Sequence, residues 1–173
     1  MTVNWKRHFE EFISSRSDQI SAILDAGGCR EGWLQGELYI YSRHAGLQMN
    51  ATAKKYDLYC EAPPMAGEIK ICGGDYQPKM KGLILADVDK LRKAPPDHQK
   101  FMILVIDTRK LDTPLGRWLI SPGFAQEETS RIRGTGFETV IWEIGSPTIA
   151  SSVRPTRVTP RAMHEARHGP AVR

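Results

Sequence analysis

Several features that define other classes of protein are missing from this sequence. No apolar run approaches the roughly 20 residues of a membrane span, and the N-terminal segment lacks the apolar core of a signal peptide. The three cysteines, Cys29, Cys60 and Cys72, are too few for a disulfide framework and too widely spaced for a zinc site built on close pairs. We therefore predict a cytoplasmic protein without a membrane partner.

Motifs of several common catalytic sites are missing too. The sequence has no Gly-rich phosphate-binding loop, no G-x-S-x-G segment that would hold a nucleophilic serine, and no H-E-x-x-H pair of zinc ligands. His164 and His168 are four residues apart, but they lie among prolines and arginines, where we expect no packed metal site. A catalytic centre must therefore be built from other side chains.

The chain has little excess charge except at one end. Its net charge is +4, and residues 150–173, with five arginines and one glutamate, account for all of it. We predict that residues 1–149 form one neutral domain and that residues 150–173 form a basic, Pro/Arg-rich flexible tail. A surface that binds nucleic acid must then be either a local patch or this tail.

Hydrophobic periodicity predicts an α/β protein. Residues 5–26 have the apolar spacing of one or two amphipathic helices, which Gly27-Gly28 ends. The continuous apolar run 101–107 is typical of a strand that is buried on both faces. The other predicted elements are helices over 31–45, 76–93 and 115–120, and strands over 47–54, 57–61, 66–72 and 137–144.

Three functional side chains follow from the pairing of two of these strands. Glu68 and Lys70 are two residues apart in one strand, so they share a face of the sheet. Asp57 lies in the preceding strand and joins them if the two strands are neighbours. Two carboxylates and an ammonium at that range suit a hard divalent cation and a water molecule to be activated.

The helix that starts at Glu31 supplies a further carboxylate. With Trp33 at 0° on a helical wheel, the apolar positions that begin with Trp33 span 0° to about 140°. Glu37 falls at about 40°, inside the inner face, and Glu31 at about 160°, on its edge. A carboxylate on an inner face needs a cation, a metal ion or hydrogen bonds. Pairing of Glu37 with Arg30, Arg43 or His44 remains the alternative.

These residues resemble the PD-(D/E)XK nuclease superfamily, also called restriction-endonuclease-like. The family core is α-β-β-β-α-β, the order predicted for about residues 29–110, with a mixed central sheet flanked by helices. Its signature is an acid on the second strand, matched by Asp57, and an acid-x-Lys on the third, matched by Glu68-Ile69-Lys70. Many members also have a glutamate on the preceding helix. Glu37 is the better match, with Glu31 as the second choice.

The resemblance implies an Mg²⁺-dependent or Mn²⁺-dependent endonuclease acting on DNA. Asp57, Glu68, Glu37 and the Ile69 carbonyl would hold the metal ion. Lys70 would orient or deprotonate the attacking water, and deprotonation would require a lowered pKa. Lys79 and Lys81, near the start of the next helix, would contact DNA phosphates.

Two other interpretations stay open. A catalytically inactive module of the same fold could bind nucleic acid or a protein partner, and the neutral body favours it. An α/β domain unrelated to the family would place Asp57 and Glu68 on opposite faces of the sheet. A chain of 173 residues has little room for a recognition domain, so a homodimer or a partner protein is expected to supply specificity. Asp87 and Asp89, on the helix over 76–93, are expected to be solvated.

Overall fold

The protein is a mixed α/β structure with a six-stranded mixed sheet between two groups of helices. A computed structural model describes residues 3–27, 30–51, 55–73, 77–111, 113–119, 121 and 129–145. The predicted tail, residues 150–173, lies outside these residues. No helix in the described ranges is both long and apolar enough to cross a membrane.

Within the residues that the structure describes, five helices precede or connect the strands. Asn4 caps the first helix, since its side chain accepts a hydrogen bond from the Arg7 backbone N–H at 3.0 Å. Gly46 ends the 3₁₀ turn that follows the third helix. Its φ of 79° is left-handed, a conformation that glycine adopts without strain. The helices are α1 (Trp5–Ser15), α2 (Ser17–Ala26), α3 (Arg30–Ser42), α4 (Gln77–Arg92) and α5 (Pro114–Leu119), with short 3₁₀ turns at Arg43–Ala45 and Thr108–Lys110.

The sheet has the strand order β1-β2-β3-β4-β6-β5. Strands β1, β2 and β3 form an antiparallel meander, and β4 then joins β3 in parallel, with Ile69 opposite Ile103. A parallel neighbour requires a crossover, and α4 provides it. The strands are β1 (Gln48–Ala51), β2 (Tyr56–Glu61), β3 (Pro64–Cys72), β4 (Gln99–Asp107), β5 (Thr129–Gly134) and β6 (Phe137–Glu143).

Alternation along the strands gives the sheet two apolar faces. Helices α1, α2 and α3 cover one face, which includes Leu58, Ile69, Ile103, Val105 and Ile141. Helices α4 and α5 cover the other, which includes Ala66, Met102, Leu104, Val140 and Trp142. Strand β4 contributes to both, as its continuous apolar run predicts. The polar residues Glu68 and Lys70 therefore belong to the face that packs on α4.

The order of the predicted elements is confirmed, with differences at three places. Strand β5 was not predicted, because Thr129–Gly134 has only one apolar residue, Ile132, and alternates between half-buried and exposed positions. Strands β3 and β4 each begin two residues before the predicted start. Residues 52–54 of the predicted first strand and residue 76 of the predicted helix lie outside the described residues.

Candidate functional site

A gap between strands β2 and β3 forms the candidate site. The paired register of the two strands ends at Leu58 opposite Gly67. Beyond that point the backbone of β3 hydrogen-bonds side-chain carboxylates instead of a neighbouring strand. The Ile69 backbone N–H donates to Asp57 Oδ2 at 3.0 Å, and the backbone of Ile71 hydrogen-bonds the carboxylate of Glu31. Buried backbone groups need such partners, so the two carboxylates are fixed along the free edge of β3.

Lys70 reaches into this gap and contacts carboxylates from three elements. Its Nζ lies 3.3 Å from Glu31 Oε1 on α3, 3.8 Å from Asp57 Oδ2 on β2 and 3.1 Å from Asp87 Oδ2 on α4. The same ammonium donates to the Ile69 carbonyl at 2.9 Å. Only 14% of the side chain is exposed. Lys70 therefore occupies a nest of four oxygen acceptors that converge on one point.

Glu68 lies next to this cluster and is almost fully buried. Its Oε1 is 2.5 Å from Lys90 Nζ on α4, a close ion pair. Lys90 also lies 3.6 Å from Asp87 Oδ1. Asp87 thus holds one lysine with each carboxylate oxygen and links the two ion pairs.

Burial and the neighbouring charges set the protonation states here. Burial raises the pKa of Glu68 to about 8, and Lys90 opposes the rise only in part. Burial also raises the pKa of Glu31. Burial alone would lower the pKa of Lys70. The carboxylates of Glu31, Asp87 and Asp57 outweigh that effect, so the pKa of Lys70 lies above its usual value.

The raised pKa of Lys70 bears on one of the two roles predicted for it. At neutral pH the side chain is an ammonium, which can donate hydrogen bonds to water or to a phosphate oxygen. An ammonium has no lone pair with which to accept a proton. The lowered pKa that deprotonation of water would require is therefore not found in this arrangement, and the orienting role is the one that fits.

The structure brings Asp57, Glu68, Lys70 and Ile69 together. Of the two glutamates on α3, it places the second choice at the site and the first choice elsewhere. Glu31, the second choice, contacts Lys70, whereas Glu37 pairs with Arg16 at 3.2 Å, with 31% of each side chain exposed. The predicted alternative paired Glu37 with Arg30, Arg43 or His44, whereas its partner is Arg16, which lies on another helix. Asp57 and Glu68 both contact lysines of one cluster, so the arrangement on opposite faces is not observed.

Sequence reasoning missed Asp87 and Lys90. Asp87 was expected to be solvated, yet only 17% of its side chain is exposed, while Asp89 fits the expectation at 64%. The signal was present in the periodicity of α4. Asp87 lies three residues after Ile84 and four before Leu91, and both are fully buried. A residue at that spacing borders the buried face of a helix.

The two predicted DNA-binding lysines lie on different flanks of α4. Lys81 Nζ lies 5.0 Å from the ring centroid of Trp118 on α5. Lys79 is exposed and precedes Lys90 by eleven residues, about three turns, so the two lie within roughly 20° of each other on the helical wheel. Lys79 therefore shares the flank of α4 that borders the gap, and Lys81 does not.

The side-chain and carbonyl oxygens that line the gap are of the chemical type that binds a hard divalent cation. Asp57, Glu68, Glu31 and the Ile69 carbonyl supply oxygens, the ligands that Mg²⁺ prefers. The buried Glu68 Oε1 faces Lys90 Nζ at 2.5 Å, so that ammonium occupies the position that a metal ion would take on this oxygen. Within the described residues, no three His, Cys, Asp or Glu side chains are arranged as a metal site, and the acids contact lysines instead.

Comparisons with known proteins add no relative to this description. No protein-family model matches the chain, and neither a curated protein nor a solved structure matches it significantly. The candidate site therefore rests on the residues and distances given above.

Proposed function

We propose that the chain is a Mg²⁺-dependent nuclease of the restriction-endonuclease-like type, which hydrolyses phosphodiester bonds in DNA. The observation that carries the proposal is the convergence of Glu31, Asp57, Asp87 and the Ile69 carbonyl on Lys70, with Glu68 alongside. The element order α3-β1-β2-β3-α4-β4 supports it, because it agrees with the order that the resemblance implies.

Each residue of the gap has a defined part in this proposal. Asp57, Glu68 and the Ile69 carbonyl would hold Mg²⁺ or Mn²⁺, and Glu31 would complete the oxygen set. When bound, the cation polarises the scissile phosphate and stabilises the leaving oxygen. The Lys70 ammonium orients the attacking water or a phosphate oxygen.

Two lysines must be arranged for this role. Asp87 positions Lys70, because it makes the shortest of that lysine's contacts with a carboxylate. Lys90 has to move away from Glu68 Oε1 before that carboxylate can bind a cation. Since 37% of the Lys90 side chain is exposed, the ammonium can move into water.

Nicking of supercoiled plasmid by the purified full chain tests the proposal. We expect nicking with Mg²⁺ or Mn²⁺, none with excess EDTA, and at least a roughly 100-fold loss in Asp57→Asn, which keeps the shape of the side chain but removes its charge. Asp89→Asn is the matched control, since Asp89 is 64% exposed and pairs with Arg92 outside the gap. Equal nicking by wild type and Asp57→Asn, or none by wild type with either metal, would contradict the assignment.

A second candidate function is a nuclease-fold module that has lost catalysis and binds nucleic acid or a protein. The specific observation in its favour is that Lys70 and Lys90 already pair with the acids, as in a structural ion-pair network. Calorimetry with Mn²⁺ separates the two candidates. Binding heat that disappears in Asp57→Asn favours the enzyme, and the same titration without heat in wild type favours the module.

A further inference from the structure

A tyrosine ring lies beside the acid cluster and has no part in the proposed chemistry. Tyr56 directly precedes Asp57 in β2, and its side chain is half-buried against the face of the sheet that packs on α4. Lys90 Nζ lies over the ring, 5.8 Å from its centroid, and is 2.5 Å from Glu68 Oε1, so a base can take that face only after Lys90 moves as the proposed function requires. The ring centroid is therefore within about 8 Å of the Glu68 carboxylate.

Two further rings hold Tyr56 in a defined orientation. The plane of Tyr59 is within 8° of parallel to that of Tyr56, at a centroid distance of 6.4 Å. His98 stacks on Tyr59 at 5.4 Å, and its Nε2 lies 3.3 Å from the Tyr59 hydroxyl. Tyr59 is 5% exposed, so the buried pair forms a fixed support beneath a ring that water still reaches.

An aromatic face next to an ammonium suits an unpaired nucleotide. Bases stack on aromatic rings whatever their sequence, and a nearby cation attracts the phosphate of the same strand. Successive bases of a DNA strand are about 3.4 Å apart along the helix axis, so about 8 Å corresponds to two or three nucleotides from the acid cluster. In a duplex the base faces are covered by their neighbours and cannot stack on protein in this way.

We propose that Tyr56 is a stacking site for an unpaired base, and hence that the substrate is DNA with a single-stranded segment next to the cleaved bond. The choice of DNA as the polymer rests on the proposed function, whereas the stacking contact is measured by binding alone. The competing explanation is that Tyr56 only packs against α4. Leucine keeps most of that packing without a π face, and phenylalanine keeps both.

Fluorescence anisotropy of a labelled oligothymidylate of about 12 nucleotides tests the stacking site, in EDTA so that no strand is cut. The comparison probe is an abasic oligonucleotide of the same length and charge. We expect wild type to bind the oligothymidylate about tenfold more tightly than the abasic strand. Tyr56→Leu should lose most of that preference and Tyr56→Phe should keep it. Tyr39→Leu is the matched control, because Tyr39 is 41% exposed on α3 and outside the gap.

The outcomes separate this inference from the proposed function. An unchanged preference for the base-bearing strand in Tyr56→Leu overturns the stacking site, even if plasmid nicking proceeds. Equal or tighter wild-type binding of a duplex of the same length overturns the inferred substrate class. Loss of the preference in Tyr56→Leu, with Tyr56→Phe and Tyr39→Leu unchanged, supports the stacking site even if nicking fails.

Discussion

Replacement of Glu68 by glutamine tests the electrostatics of the gap without any assumption about substrate. Glu68 is 1% exposed, and burial raises its pKa from 4.5 to about 8. A shift of that size corresponds to roughly 5 kcal/mol between the two protonation states. Glutamine has the shape of the protonated side chain but cannot ionise, so it isolates this contribution.

The direction in which the free energy of unfolding changes with pH follows from the pKa of Glu68 in the unfolded and in the folded chain. Below about pH 4.5 both the folded and the unfolded chain keep the proton, and the group contributes no pH dependence. Between about 4.5 and 8 the unfolded chain has lost the proton while the folded chain keeps it, so the free energy of unfolding falls as pH rises. Above about pH 8 the loss is complete. Wild type should therefore lose roughly 4 kcal/mol relative to Glu68→Gln between about pH 5 and pH 9.

Urea denaturation in EDTA, followed by tryptophan fluorescence, measures the difference, since Trp5 and Trp142 are both buried. Glu37→Gln is the control, because it is the same substitution at a glutamate outside the gap with about a third of its side chain exposed. If the stability difference between wild type and Glu68→Gln were the same at both pH values, the reasoning about burial would be refuted.

Two further predictions follow from the geometry. Gly116→Ala should destabilise the fold by about 2 kcal/mol or more, because its Cβ would lie 2.5 Å from the Leu111 carbonyl oxygen. Gly82→Ala should stabilise α4 by about 0.5–1 kcal/mol, because its Cβ would have no neighbour within 4 Å. Thermal denaturation measures both changes. Asp87→Asn should lower plasmid nicking about tenfold through loss of Lys70 positioning, and restoration by Asp87→Glu would argue for a charge-based role. Nicking by Asp87→Asn at the wild-type rate would contradict that role.

Much of the fold could be predicted because its signals are local. The apolar run of β4 and the amphipathic spacing of the helices depend only on neighbouring residues. Strand β5 could not be found in this way, since it lies at the edge of the sheet and Arg131 and Arg133 alternate with Ile132. Such a strand is defined by its partner β6 rather than by its own composition.

The site could be predicted from the spacing of Asp57, Glu68 and Lys70, but not in full. On a helical wheel Glu37 falls inside the inner face and Glu31 on its edge, so the sequence favours Glu37, whereas Glu31 is the one that faces the gap. That choice depends on where β2 and β3 separate relative to α3, which is a tertiary relationship. The contact of Ile71 with Glu31 determines the outcome, because an unpaired strand edge needs an acceptor at that point.

The charge of the gap argues that any reaction there with a phosphodiester needs a further cation. Two ammonium groups face four carboxyl groups, which belong to Glu31, Asp57, Glu68 and Asp87. Even with the proton on Glu68, three carboxylates outnumber the two lysines. A phosphodiester is also an anion, so these charges repel it at close range. A bound divalent cation adds two positive charges and reverses the sign of the net charge in the gap. Lys70 can then act on the phosphate instead of only pairing with the acids. Activity that persisted in excess EDTA would therefore argue against phosphodiester hydrolysis at this site.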